Sequence, residues 1–195
     1  PTATPPSHAM CNTVIIKNDT TLTEDVKCNC DIKSGPLITL TKGADLDMNN
    51  YTVMCFDSST IKTDACIRLN DRRSVVKDGT VRNCKTGILF KGRGEHEVAN
   101  VSVEKSTVGM YLDSWKNKVY QNSVVADGSG ITIEASPWTV IEGNDVFAGG
   151  HGIELLESVT SAKITGNTIT AGGECIFNRD ITDEIFTEAN NENCS

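Results

Sequence analysis

Between Cys66 and Phe177 one apolar phrase recurs six times: Cys66-Ile67-Arg68-Leu69, Gly87-Ile88-Leu89-Phe90, Gly109-Met110-Tyr111-Leu112, Gly130-Ile131-Thr132-Ile133, Gly152-Ile153-Glu154-Leu155 and Glu174-Cys175-Ile176-Phe177. The starts, at 66, 87, 109, 130, 152 and 174, lie 21 or 22 residues apart. Inside each run inward and outward residues alternate, as in Ile131, Thr132 and Ile133, which is the two-residue period of a strand. No helical period intervenes. A second series keeps step: Lys77-Asp78, Ala99-Asn100, Gln121-Asn122, Gly143-Asn144 and Gly166-Asn167, at intervals of 22, 22, 22 and 23. Two registers on one period predict a solenoid, each repeat being a coil of short strands.

Stacked coils are separated by the inter-strand distance, roughly 4.8 Å, so equivalent side chains of successive coils fall into columns. Asn tolerates the left-handed backbone of a sharp corner, and its amide can bond the Asn above and below. Asp78, Asn100, Asn122, Asn144 and Asn167 are therefore expected to form one inward ladder. Leucine-rich repeats share the period, but their fixed Leu spacing is absent. On these residues the chain resembles the right-handed parallel β-helix repeats of the pectin-lyase-like superfamily, over about two thirds of its length. The expected fold is all-β, a single right-handed parallel β-helix of about seven coils. That scaffold carries many activities, so it implies little about function.

Residues 1–12 have the composition of an extended arm or linker. The chain begins at Pro1, without Met or an apolar leader, and reads as a processed or truncated start. The β-helix is expected over 13–181, with irregular first coils and an excess of residues around 56–64 that reads as a loop or lid. From Cys66 the coils are minimal. The tail, 182–195, is expected to hold a short capping helix over 182–190 that covers the last strand edges.

Composition sharpens this picture. A formal net charge of −8 argues against nucleic acid or an anionic membrane as partner, and mildly against a polyanionic glycan held without a metal between. No apolar run is long enough for a membrane span. The 8 Cys read as disulfides formed in an oxidising compartment, hence a secreted, extracellular protein. Cys66 and Cys175 share a column but stand five coils apart, about 24 Å at the rung spacing, too far to pair. Cys175 with Cys194 is the preferred pair; Cys55 with Cys84, each closing a Thr-Val-x-Cys phrase, is the second. Of the sequons at Asn18, Asn50, Asn100 and Asn193, Asn18 and Asn50 fall where the repeat is loosest and are the expected glycosylation sites.

Three chemistries are weighed. Aligning the coils brings Asp113, Glu134 and Glu154 to one outer face of three consecutive coils, with Arg68, Lys91 and Arg93 toward the other end. Three carboxylates could hold Ca²⁺, and Arg68 or Lys91 could abstract a proton from a uronic acid. This arrangement is similar to that of pectate lyases. Gly150-His151-Gly152 is similar to a polygalacturonase motif, which would make His151 catalytic. The carboxylate phrases those enzymes carry are missing, and glycines at a corner explain themselves. Trp115 and Trp138, at similar offsets after successive strands, are expected on one rim, able to stack on sugar rings or on a neighbouring subunit.

The preferred reading is a non-catalytic extracellular structural β-helix, self-associating into a filament or surface layer through its arm, glycosylated and needing no cofactor. The alternatives are a Ca²⁺-dependent polysaccharide lyase and a glycan-binding module.

Overall fold

The computed structural model describes residues 13–30, 35–56, 64–179, 185–188 and 190–194. The arm over 1–12, most of the loop over 56–64 and the junction at 180–184 lie outside the described residues.

Eight strands stack in parallel into one sheet, in chain order Val14–Ile16, Ile38–Leu40, Ala65–Leu69, Thr86–Phe90, Val108–Leu112, Ile131–Ile133, Ile153–Leu155 and Ile176–Asn178. A 14-stranded second sheet supplies the other faces of the coils. In the coils at Val75–Arg82 and Glu97–Ser106 one strand bends through the corner between those faces. Later coils break there, as Lys118–Tyr120 and Ser123–Ala126 do. The result is a parallel β-helix of about seven coils.

The recurring phrase becomes core columns. Ile38, Ile67, Ile88, Met110, Ile131 and Ile153 stack in one, and Leu40, Leu69, Phe90, Leu112, Ile133 and Leu155 in the next. Each is at most 1% exposed. Across the interior stand Val81, Val103, Val124, Val146 and Ile169. The glycine that opens each phrase is required by this opposition: a Cβ on Gly87, Gly109, Gly130 or Gly152 would collide with a γ-carbon of Val103, Val124, Val146 or Ile169 respectively. At its ends the glycine column passes to Cys66 and Cys175. Their side chains instead bond across the interior, to Cys84 and Cys194.

The expected Cys55–Cys84 bridge is corrected. Cys55 is bonded to Cys30, and Cys84 to Cys66. Strand register matches Thr52 with Thr80, Val53 with Val81 and Met54 with Arg82, which puts Asn83, not Cys84, level with Cys55. Asn83 takes a left-handed φ of 60°, and Cys84 beyond it is paired with Cys66. Among the described residues no cysteine is free.

The expected ladder is also corrected, by one residue. Asn122, Asn144, Asn167 and Asn190 do stack: the N–H of Asn122 donates to Asn144 Oδ1 (3.0 Å), that of Asn144 to Asn167 Oδ1 (2.9 Å), and that of Asn167 to Asn190 Oδ1 (3.0 Å). Each Nδ2 repeats the contact and also donates to a carbonyl of the preceding coil, as from Asn144 to Val119 (3.0 Å). Above Asn122, however, stands Val101, whose N–H donates to Asn122 Oδ1 (3.0 Å). Asp78 and Asn100 sit one residue earlier, at the left-handed corner (φ 56° and 53°) that Gln121, Gly143 and Gly166 occupy in later coils. They are not buried, and Asn100 Nδ2 donates to Asp78 Oδ1 there (3.3 Å). The coil from Val101 to Asn122 is one residue shorter than its neighbours, and a one-residue slip exchanges inside for outside.

At the C-terminal end, Ile185–Glu188 and Asn191–Cys194 are strands in parallel with Ala162–Thr165 and Thr168–Ala171. This corrects the capping helix over 182–190 for the residues described: the solenoid adds another rung.

Replacing Asn144 by Ala removes the acceptor of the buried Asn122 N–H, leaves Asn122 Nδ2 with the Val98 carbonyl alone and takes a donor from the Val119 carbonyl, at about 1–3 kcal/mol for a buried group left unsatisfied. For a total loss of about 3 kcal/mol the thermal midpoint of Asn144→Ala should fall by roughly 6–12 °C, at about 2–4 °C per kcal/mol for this chain length. Asn100→Gly, at the exposed corner, should stay within about 1 kcal/mol of wild type. Equal losses in the two variants would contradict the register. Gly130→Ala should lose about 1–3 kcal/mol by overpacking against Val146, read from the denaturant midpoint.

Candidate functional site

The corner that follows the first sheet carries a second buried polar column. Ser74, His96, Asn117 and Thr139 occupy equivalent positions, each fully buried, and the backbone N–H of the residue after each bonds back to the preceding coil, as Lys118 N to His96 O and Val140 N to Asn117 O. His96 Nδ1 accepts from Ser74 N–H (3.2 Å), and His96 Nε2 lies 2.8 Å from the Lys91 carbonyl, which fixes the tautomer with its proton on Nε2. Asn117 Oδ1 accepts from His96 N–H (3.2 Å), while its Nδ2 donates to Ser114 and Ser136. Burial lowers the His96 pKa, so the imidazole is held neutral.

The residues just before this column point outward. Arg73, Glu95, Lys116 and Trp138 all have left-handed backbone (φ 62°, 59°, 56° and 57°), with their N–H groups bonded in sequence to the carbonyls of Gly94, Trp115, Pro137 and Thr160 at 2.8–3.0 Å. Gly94 must be glycine, because a Cβ there would collide with the Trp115 carbonyl. The outer surface of this corner is a ridge of charge and indole. Trp115 and Trp138 are 37% and 52% exposed, with ring centroids 6.4 Å apart at an interplanar angle of 57°. Lys116 Nζ lies 5.1 Å from one ring centroid and 5.6 Å from the other, within cation–π range. One coil earlier Arg72 and Arg73 share Glu95, with Nε to Oε2 distances of 3.0 and 2.7 Å. Those hydrogen bonds, from Arg72 first, hold the Glu95 carboxyl at about 2. Three cations against one carboxylate make this ridge basic on a chain whose net charge is −8.

The other sequence-predicted positions do not converge in this way. Asp113 pairs with Lys91, Glu134 accepts from the Tyr111 hydroxyl, and Glu154 Oε2 accepts from Ser129 (2.7 Å) and Thr132 (3.3 Å). Burial first, then the hydrogen bond to Glu134 and the charges of all three carboxylates, raise the Tyr111 pKa, but each carboxylate is engaged separately and they form no ligand cluster among the described residues. The expectation of a Ca²⁺ triad is corrected accordingly. Arg68, whose Nε is buried without a partner, lies four rungs from His151, about 19 Å at the rung spacing. His151 instead stacks on Phe177 (4.3 Å, 11°) and accepts from Glu174 N–H (3.2 Å). Arg68 and His151, offered for two different chemistries, thus stand apart, while Lys91 is paired with Asp113. Asn18 and Asn50 are both exposed. Near the N-terminal end, a cavity of about 240 Å³ is lined by Asp19, Asp45, Asp47 and Lys77. Its carboxylates are used internally, Asp45 accepting from Val75 N–H and Asp47 pairing with Lys77.

The family model described as periplasmic copper-binding protein (NosD) matches residues 11–193. The chain belongs to the NosD family. That family is one of right-handed parallel β-helices within the pectin-lyase-like superfamily, and the parallel stacking of the coils agrees with it. No curated protein and no solved structure matches this chain. The disulfides and the family's periplasmic description both point to a place outside the cytoplasm. No described helix is long and apolar enough to cross a membrane.

The Trp pair was legible from its offsets. The basic ridge was missed, because Arg72, Arg73 and Lys116 join it only through a corner column whose signal is a polar residue at 74, 96, 117 and 139. In pH terms, a His pKa depressed by folding gives stability that is present above the ordinary value of 6.5 and lost as pH falls below it. Thermal stability of the wild type should therefore fall between pH 7 and pH 5 more steeply than that of His96→Gln. Parallel slopes would contradict the buried neutral imidazole.

Proposed function

We propose that the protein is a non-catalytic extracytoplasmic β-helix that binds carbohydrate on the ridge of Trp115, Lys116 and Trp138. The carrying observation is the exposed indole pair with a lysine over both rings, on a backbone locked by coil-to-coil hydrogen bonds. An indole face accepts the C–H face of a sugar ring. The Lys116 ammonium and the Arg72–Arg73 pair favour a sugar bearing carboxylate or sulfate. A rigid aromatic platform loses little entropy on binding. Non-catalytic action is supported by Asp113, Glu134 and Glu154 each being engaged by a different partner.

The family's description names copper. Copper takes thiolate, thioether or imidazole. Among the described residues the group drawn together is Cys55, Cys66 and Cys84, and all three sulfurs are tied in disulfides, which are not thiolates. Both His96 nitrogens are used, and His151 is stacked on Phe177. The described cysteines in their disulfide form and the described histidines do not fit copper. Self-association and filament formation were expected from the arm over 1–12, which lies outside the described residues.

The chain has 2 Trp, both on the ridge, so Trp emission excited at a wavelength the 3 Tyr do not absorb reports this site alone. Titration with uronate or sulfated oligosaccharides should give a saturable emission change, weakened by salt, and Trp138→Ala should weaken binding about tenfold, equivalent to ~1.4 kcal/mol. Emission that ignores every oligosaccharide but shifts with protein concentration would assign the indoles to a second copy and overturn the reading.

A further inference from the structure

Four cysteines near the N-terminal end lie closer than two independent disulfides require. Cys30–Cys55 ties the coil of Val26–Asn29 to the coil of Thr52–Phe56, with Cα atoms 5.5 Å apart. Cys66–Cys84 crosses the interior of the next coil, with Cα atoms 5.6 Å apart. Between the two bonds, Cys55 Sγ and Cys84 Sγ are 3.4 Å apart, non-bonded and in contact. The sulfurs of Cys55, Cys66 and Cys84 all lie within 4.8 Å of one another. All four side chains are 0% exposed, so an external thiol reaches them only by local opening, and the neighbouring Cys28, level with Cys55, is itself disulfide-bonded.

We infer that Cys55 and Cys84 are a thiol–disulfide exchange pair, through which opening either disulfide moves the coil-to-coil staple from Cys30–Cys55 to Cys55–Cys84. The chemistry balances with a dithiol as the external reductant. One thiolate of the dithiol attacks Cys30 Sγ, the Cys30–Cys55 bond breaks, and its electron pair leaves on Cys55. The second thiol of the dithiol displaces Cys30, which takes a proton as the dithiol closes to its own disulfide. The Cys55 thiolate then attacks Cys84 Sγ: the Cys55–Cys84 bond forms, the Cys66–Cys84 bond breaks, and the electron pair leaves on Cys66, which is protonated. Entry at the other disulfide, by attack on Cys66, releases Cys84 against Cys55 and expels Cys30, giving the same isomer. The dithiol is oxidised by two electrons and the protein holds two thiols, at Cys30 and Cys66. The first coil loses this tie while the second gains one to the third. Burial in apolar surroundings disfavours the thiolate, so the internal step is expected to take minutes to hours.

The test uses the whole protein and limited treatment with dithiothreitol, followed by acid quench, alkylation in denaturant and peptide mapping by mass spectrometry. The species reduced by one disulfide at this end with Cys28 still unlabelled should carry label on Cys30 and Cys66 and a Cys55–Cys84 cross-link, with Cys175–Cys194 as internal reference. Label on Cys30 and Cys55 with Cys66–Cys84 intact, or on Cys66 and Cys84 with Cys30–Cys55 intact, would overturn the inference. A second arm needs no reductant. In oxidised Cys30→Ser the single free thiol should be found on Cys66 as well as Cys55, whereas label on Cys55 alone would overturn it. If this variant does not fold, the wild-type map decides.

Discussion

Among the described residues the backbone hydrogen bonds run mostly from one coil to the next, so one register must serve the strands and the corners between them. The corners are where that requirement bites, because a sharp turn frees donors that strands would have paired. Along one corner Asn122, Asn144, Asn167 and Asn190 close the gap with side-chain oxygens; along another His96 Nδ1 accepts from Ser74 N–H and Asn117 Oδ1 accepts from His96 N–H. Both columns are buried, where an unpaired amide is most costly. The apolar columns supply bulk and driving force, while the polar ones determine which residue faces in.

That division positions the candidate site. Lys116 and Trp138 are outward because Asn117 and Thr139, the next residues, are inward and bonded. The left-handed backbone at Glu95, Lys116 and Trp138 would be unfavourable for isolated residues, and here the stacked hydrogen bonds of the corner hold it. The ridge is consequently built on the stiff part of the solenoid, and its indoles are presented at a spacing fixed by the rungs.

Much of the fold was legible because strand period and coil period are both visible in the apolar residues. The glycine column was visible too, although its reason, the branched side chain opposite each glycine, is not. What spacing alone could not resolve was a single residue: Asp78 and Asn100 continue the 22-residue interval but belong to the exposed corner, since one coil is a residue short. The same kind of slip, at Asn83, turned Cys84 from Cys55 to Cys66. For the site, columns predicted shared faces correctly for Asp113 and Glu134 yet said nothing about partners. Lys91 and Tyr111 neutralise or occupy those carboxylates from adjacent rungs. The basic ridge was hidden for the opposite reason, since its cations come from two coils and look unremarkable in either.

The most direct measurement of the account is amide hydrogen exchange followed by NMR at Val101, Asn122, Asn144 and Asn167, whose N–H groups each donate to the side-chain oxygen of an Asn one coil on. If the inward ladder holds the corner, these four exchange only through global unfolding, with protection equal to that of the core strands. Exchange by local opening, at the rate of the exposed loops, would contradict it.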